Sequence, residues 1–304
     1  MYPIIMIPPR RILISGGGIK VLALVGALHV LQGRGYLKKV REVCGVSAGA
    51  FLGFIISTGH PLTKVVTLIQ DLDFGIIRNI TPEAFIEFPE RFGIDDGSVF
   101  RKFLESLFRV FLKLPSEITF GEYVALGLKG QLRFRCWASD INTQKPREFS
   151  AELTPTVKII DALRASMCLP LYFTPVVDPI TGHLLSDGAI QGNLPFHYLT
   201  DDECEDTIAL GFSYSTKNSK QPPVDFMSFL SGIISTITRS RNEEFMKKWG
   251  HKILRVPVDE YPSWNFEASR NDRAMLFQKG RDAATEWIQN IYSASRKIER
   301  RNST

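Results

Sequence analysis

Two glycine-rich turns, each between an apolar strand-like segment and an apolar helical one, constrain the fold most strongly. The first, GGG at 16–18, follows a predicted strand over 11–14 and precedes a helical pattern over 21–34. The second, GVSAG at 45–49, follows a short β-rich segment over 40–43 and precedes an apolar helix. Strand, helix, strand and helix at this spacing are typical of parallel strands joined by crossover helices. The sequence therefore predicts an α/β fold.

The rest of the chain continues this pattern. The predicted further elements are a mostly helical middle over 61–121, strands over 132–139, 184–187 and 207–212, a helix over 157–166, and helices towards the basic end at 296–301. The polar stretch 215–223 is predicted to be a surface linker. We expect an N-terminal extension over 1–10, one domain over 11–290 and a frayed basic tail over 291–304.

Composition excludes several classes of protein. The 304 residues are 44% hydrophobic and 23% charged, as in an ordinary globular domain. A net charge of +5 favours acidic surfaces, but no basic run or binding motif indicates a nucleic-acid partner. The four cysteines are far apart and form no C-x-x-C pair, which argues against a zinc site or a disulfide framework. No metal motif is present, so we expect no metal or other cofactor.

The segment 1–11 does not resemble a secretory signal, because its short apolar stretch is interrupted by prolines and followed by arginines. No run approaches the ~18 apolar residues of a membrane-spanning helix. We therefore expect a cytoplasmic protein whose contact with a membrane surface is peripheral at most.

The turn at 45–49 matches G-x-S-x-G, in which a sharp strand-to-helix turn exposes a serine hydroxyl above a sheet. Ser47 is the candidate nucleophile. Gly45 and Gly49 allow the close backbone approach that such a turn needs, and the following helix N-terminus favours developing negative charge. A structural tight turn is the alternative.

Gly16, Gly17 and Gly18 form a second candidate site. Consecutive glycines let backbone N–H groups converge on an anion, which suits an oxyanion hole. A phosphate-binding Walker loop needs G-K-[ST], whereas Lys20 is followed by Val21. A flexible turn remains the other possibility.

A serine nucleophile needs a base. None of the five histidines, His29, His60, His183, His197 and His251, lies in a recognisable catalytic motif. The carboxylate of Asp187, in an Asp-Gly turn with Gly188 after an apolar strand, could accept the serine proton directly. Most Asp-Gly pairs are simply turns, so the residue pattern alone leaves this role open.

Four sequence blocks together resemble the patatin-like phospholipase family. In the family's order they are Gly16-Gly17-Gly18-Ile19-Lys20, Gly45-Val46-Ser47-Ala48-Gly49, Ala165-Ser166-Met167-Cys168-Leu169-Pro170 and Asp187-Gly188-Ala189. Segments 138–143, 193–195 and 266–287 also resemble the family, the last as its closing helix. Lys20 stands where arginine is frequent and Ala189 where glycine is frequent; Lys20 either favours anionic head groups or, as we prefer, has a structural role.

The resemblance implies a three-layer α/β/α fold with a mainly parallel central sheet. It implies a lipid acyl hydrolase of the phospholipase A or lysophospholipase type, with Ser47 as nucleophile, Asp187 as base and Gly16, Gly17 and Gly18 as oxyanion loop. The implied substrates are phospholipids or other acyl lipids, and an activating protein partner is compatible with the family. The alternatives are an α/β-hydrolase-type esterase with a late base such as His251, and a non-catalytic lipid-binding protein.

The segment 98–114 is a basic amphipathic helical pattern with a broad apolar face. Such a helix can lie in a membrane interface or act as a lid. More often its apolar stripe packs against a core. We favour core packing and keep the lid or membrane contact as the alternative.

Overall fold

The computed structural model describes residues 8–72, 74–213, 247–258 and 268–302, together with positions 229, 232, 233, 236 and 261. Its strands are β1 Arg11–Ile14, β2 Glu42–Val46, β3 Gly93–Asp95, β4 Arg133–Asp140, β5 Lys145–Ser150, β6 Leu171–Phe173, β7 Val176–Val177, β8 Leu184–Asp187, β9 Thr207–Phe212 and β10 Ile253–Val256. The predicted linker over 215–223 lies outside the described residues.

The helices alternate with these strands. They are α1 Val21–Gly33, α2 Ala48–Ser57, α3 Leu62–Asp71, α4 Pro82–Arg91, α5 Ser98–Ser106, a π-helical segment Leu107–Leu112, α6 Phe120–Ala125, α7 Ile159–Ser166, α8 Asp201–Glu205 and α9 Arg270–Asn302. The helical prediction for the middle of the chain is confirmed, apart from the short strand β3. α9 continues through the basic segment 296–301, which was expected to fray.

The central sheet is mostly parallel. Its strand order is β10-β9-β1-β2-β4-β8-β7, with β5 paired to β4, and β3 and β6 form a separate two-stranded sheet. The run from β10 to β4 is parallel, whereas β5, β8 and β7 pair antiparallel to their neighbours. Helices cover both faces, so the predicted three-layer α/β architecture is confirmed.

The register on β4 explains how distant parts of the sequence meet. β5 pairs with positions 135–140 of β4 and occupies one edge of that strand. β2 and β8 must therefore share the other edge. β2 runs parallel to β4 and ends with Val46 opposite Trp137; β8 runs antiparallel and ends with Asp187 opposite Ala138. The two strands thus meet end to end at adjacent positions of β4.

Strand alternation buries apolar side chains on both faces of the sheet. Ile12 and Ile14 of β1 belong to the larger core cluster, and Leu13 between them belongs to the smaller one. α1 packs along α9 on the face of the sheet that carries the larger core cluster. A Cβ atom on Gly280 of α9 would lie 1.7 Å from the carbonyl oxygen of Ala23, which explains a glycine inside a long helix.

The amphipathic segment over 98–114 packs against the core, which confirms the favoured interpretation. Phe100, Leu104, Leu107 and Phe108 are all buried, and the ring of Phe108 stacks on Phe54 of α2 at 5.0 Å between centroids. Its apolar face is therefore not available to a membrane. Within the described ranges, no helix combines the length and the apolar character that crossing a bilayer requires.

Candidate active site

Ser47 occupies the sharp turn between β2 and α2. Its backbone lies at φ 53° and ψ −133°, a conformation that L-residues rarely adopt and that points to a strained functional turn. A Cβ atom on Gly45 would lie 2.4 Å from the carbonyl oxygen of Gly49, and one on Gly49 would lie 2.4 Å from that of Ile14. Both glycines are therefore required by the close packing of this turn.

Asp187, at the end of β8, contacts Ser47 directly. The Ser47 Oγ atom donates a hydrogen bond of 2.7 Å to Asp187 Oδ2. The second carboxylate oxygen, Oδ1, accepts the backbone N–H of Ala189 at 2.8 Å. A side chain at Gly188 would place its Cβ atom 2.2 Å from the carbonyl oxygen of Trp137, so glycine is the residue that permits the chain to turn here.

Burial sets the electrostatics of this pair. Asp187 is 1% exposed and Ser47 is 4% exposed. Loss of solvation raises the pKa of Asp187 to about 7, although the hydrogen bonds from Ala189 and Ser47 oppose the shift. A carboxylate with a pKa near neutrality is a stronger base than an exposed aspartate, which suits it to accept a proton from a hydroxyl.

Side chains that the residue patterns did not single out hold this pair in place. The Ser166 hydroxyl accepts the N–H of Ser47 at 3.0 Å and donates to the carbonyl oxygen of Trp137 at 2.7 Å. The Ser139 hydroxyl donates to the carbonyl oxygen of Asp187 at 2.8 Å. Ser166 lies within the family-like block Ala165–Pro170, and that resemblance was the only sequence signal for it.

The glycine loop lies beside Ser47. A Cβ atom on Gly16 would be 2.9 Å from Ser47 Cβ. The side-chain amide of Asn193 donates to the carbonyl oxygen of Gly16 at 3.0 Å, and the Gly16 N–H donates to the carbonyl oxygen of Asn193 at 3.2 Å. Asn193, in the segment noted as family-like, therefore fixes the position of the loop.

The next two glycines, Gly17 and Gly18, continue this loop. Gly18 adopts φ 56° and begins a 3-10 turn that includes Lys20. A Cβ atom on Gly17 would lie 2.3 Å from the ring of Phe212. In the part of the chain that the structure describes, the N–H groups of Gly17 and Gly18 donate to no protein acceptor. No acceptor within the described residues therefore occupies them.

Three of the histidines have contacts or positions away from Ser47 and Asp187. His251 lies in the 3-10 turn Gly250–Lys252, which immediately precedes β10. Because β10 belongs to the parallel run with β9, β1 and β2, His251 lies at the amino ends of the strands. Ser47 follows the carboxyl end of β2, so it lies at the opposite ends of the strands. His183 bonds Asp140 at 2.8 Å, and His60 bonds Thr58 at 2.8 Å. Among the described side chains, no cluster of three or more His, Cys, Asp or Glu residues could hold a metal ion.

Curated proteins similar to this chain come from viruses and bacteria. The chain is 22% identical over 278 residues to the probable lipid hydrolase 463L of invertebrate iridescent virus 6, covering 91% of this chain and 88% of that protein. It is 23% identical over 287 residues to the uncharacterized protein YqhO of Bacillus subtilis, covering 88% and 94%.

Solved structures share the fold. VipD from Legionella pneumophila matches with a TM-score of 0.62 and 16% identity over 93% of this chain and 67% of VipD. ExoU from Pseudomonas aeruginosa, crystallised with SpcU, matches with a TM-score of 0.51 and 17% identity over 93% of this chain and 53% of ExoU. This chain thus spans about half the length of ExoU. The model of the family described as patatin-like phospholipase matches residues 12–200, and the chain therefore belongs to the patatin-like phospholipase family.

Proposed function

We propose that this chain hydrolyses carboxylic ester bonds of membrane lipids, as a phospholipase A or lysophospholipase, through a dyad of Ser47 and Asp187. The observation that carries the proposal is the 2.7 Å hydrogen bond from Ser47 Oγ to a buried carboxylate, beside a loop of glycines. Family membership supports the lipid ester as the substrate.

The first half of the reaction forms an acyl-enzyme. Ser47 Oγ attacks the ester carbonyl carbon while Asp187 accepts the hydroxyl proton. The carbonyl oxygen becomes negatively charged, and the N–H groups of Gly17 and Gly18 stabilise it. When the tetrahedral intermediate collapses, the bond to the alcohol breaks and protonated Asp187 returns the proton to the leaving alkoxide.

The second half regenerates the enzyme. A water molecule, deprotonated by Asp187, attacks the acyl carbon, and the same glycine N–H groups stabilise the second oxyanion. The bond to Ser47 breaks, the serine recovers its proton from Asp187, and a fatty acid is released. No histidine is needed, because one carboxylate performs both proton transfers.

The proposal is tested by fatty-acid release from mixed phospholipid vesicles. We expect Ser47→Ala and Asp187→Asn each to lower kcat by about 10³-fold or more, because each removes one partner of a unit that works together. His251→Ala is the matched control and is expected to stay within about twofold of wild type, because it lies at the other end of the sheet. Circular dichroism checks that all three variants fold.

A loss of activity in His251→Ala with full activity in Asp187→Asn would assign the reaction to an esterase of the histidine type. Activity that survives Ser47→Ala in a folded protein would exclude the serine mechanism altogether. Failure of the wild type to release acid from any vesicle or soluble ester, with vesicle binding intact, would favour the non-catalytic lipid-binding alternative.

A further inference from the structure

The outward face of α4 carries large apolar side chains. Phe85 is 62% exposed and Ile86 is 82% exposed, whereas Ala84, which faces the protein, is 3% exposed. Phe92 lies seven residues, or about two helical turns, after Phe85 and is 52% exposed. Exposed clusters of this kind are unusual on a protein surface and mark a contact with a partner or a lipid.

This apolar cluster is linked to the candidate active site through β3 and β6. Phe92 leads into β3, where Gly93 pairs with Leu171 of β6, and Leu171 is also exposed. Leu171 follows shortly after Cys168, whose carbonyl oxygen accepts the N–H of Asp187 at 2.7 Å. We call the exposed side chains of Phe85, Ile86, Phe92 and Leu171, with the carboxylates of α4, the α4 face.

The polar part of the α4 face is acidic. α4 contains three glutamates, Glu83, Glu87 and Glu90, against one arginine. That arginine, Arg91, is paired with Glu87 at 2.6 Å and with Asp96 at 3.9 Å. The α4 face is therefore negative, although the chain as a whole carries a net charge of +5.

Aromatic rings beside carboxylates form a surface that suits quaternary ammonium groups, since the cation is attracted both by ring faces and by negative charge. The same carboxylates repel anionic head groups. We infer that the α4 face docks on a bilayer surface rich in phosphatidylcholine, where Phe85 and Ile86 enter the interface and the glutamates face the choline groups. This inference rests on the lipid substrate of the proposed function and names the surface on which the site works.

The test is co-sedimentation with vesicles, using Ser47→Ala protein so that no lipid is consumed. We expect Ser47→Ala to bind phosphatidylcholine vesicles, and the added pair Phe85→Ser and Ile86→Ser to weaken binding by at least about tenfold, because two apolar side chains no longer leave water. Leu153→Ser is the matched control. Leu153 is 64% exposed but follows β5 at the far end of the sheet, so binding should change by less than about twofold.

A second variant tests the charge argument without removing apolar surface. Replacing some phosphatidylcholine by the anionic lipid phosphatidylglycerol should weaken vesicle binding of Ser47→Ala. Adding Glu83→Gln and Glu90→Gln to this protein should reduce the difference in binding between the two vesicle compositions. Both glutamates are exposed, so the substitutions leave the core intact.

Unchanged binding in the Phe85→Ser, Ile86→Ser variant would overturn the inference. Binding that requires phosphatidylglycerol and falls with salt would also overturn it, and would assign docking to a basic surface. A concentration-dependent dimer that the same pair of substitutions abolishes, with no vesicle binding by the parent, would make a second copy the occupant. Since binding is measured without turnover, the dyad could fail its own test while the α4 face passes this one.

Discussion

The two ends of the central sheet differ in whether their buried carboxylates have cationic partners. At the amino ends of the strands, Glu42 is 3% exposed and lies between two guanidinium groups. Arg11 contacts it from β1, and Arg135 approaches it from β4 at 3.2 Å. Glu203 joins both arginines, at 3.2 Å and 2.6 Å. The charges there form a paired network.

At the carboxyl ends, Asp187 is equally buried but forms no salt bridge within the described part of the chain. Its partners are a hydroxyl and a backbone N–H. An unpaired buried carboxylate holds its proton more tightly than an exposed one, so a buried carboxylate is a paired structural anion at one end of the sheet and the proposed base at the other. Glu42 and Asp187 are thus both buried, and they differ in whether a cation lies beside them.

The largest expected effect on stability comes from breaking the paired end. Glu42→Gln removes the more buried of the two carboxylates that Arg11 and Arg135 share and leaves them only Glu203 in common, and we expect the free energy of unfolding to fall by ~3–5 kcal/mol. Urea denaturation measures it. Glu152→Gln, which removes an exposed partner of Arg133 at 3.5 Å, is the control and should cost less than ~1 kcal/mol. Equal losses in the two variants would contradict the comparison.

Removing the lone carboxylate should have the opposite sign. In the folded chain Asp187 keeps its proton up to about pH 7, whereas in the unfolded chain it ionises near its ordinary value of 3.8. The native state therefore binds more protons in this window, and wild-type stability falls as pH rises through it. We expect Asp187→Asn to be more stable than wild type by up to ~4 kcal/mol above pH 7, with the gain disappearing towards pH 4.

Urea melts of both proteins at several pH values measure this gain. Other carboxylates titrate in both proteins, so the difference between the two curves isolates Asp187. If the stability gain of Asp187→Asn grew as the pH fell, or if the variant were less stable at every pH, the prediction would be contradicted. Either result would show that the surroundings stabilise the ionised carboxylate of Asp187.

The last and smallest predicted effect is the pH dependence of kcat/KM of the wild type below pH 7. The proposed base works only when ionised, so kcat/KM on a soluble ester should rise by about tenfold per pH unit up to about pH 7 and then level off. Stopped assays over a pH series measure this profile. A profile that is flat between pH 5 and pH 8 would mean that Asp187 ionises as an ordinary aspartate.

The sequence predicted the local parts of this fold well and the long-range parts only by resemblance. β1 and β9 have the predicted bounds, because they are continuous apolar runs between turn residues. β2 was predicted over 40–43 and lies at Glu42–Val46; the parallel ladder with β4 extends it up to Ser47. β10 was missed within a segment predicted to be helical, since four residues give little periodicity.

β5 was missed for a different reason. Its sequence, KPREFS, is polar and borders the sheet through β4, so it lacks the apolar alternation by which strands are recognised. The motifs correctly located the turns around Ser47 and Asp187, but their contact spans 140 residues. The residues of the two turns do not predict that β8 runs antiparallel to β4. Only that direction brings Asp187 to Ser47.

The shared edge of β4 makes the reaction centre dependent on assembly of the sheet. A slip of β8 by one residue against β4 would move Asp187 by about 3.3 Å and turn its side chain to the opposite face. Before β2, β4 and β8 have joined, the nucleophile has no base and the carboxylate is hydrated and weakly basic. Under the proposed mechanism, a newly made or partly unfolded copy is harmless to surrounding membranes, and hydrolytic activity would report that this non-local part of the molecule is correctly assembled.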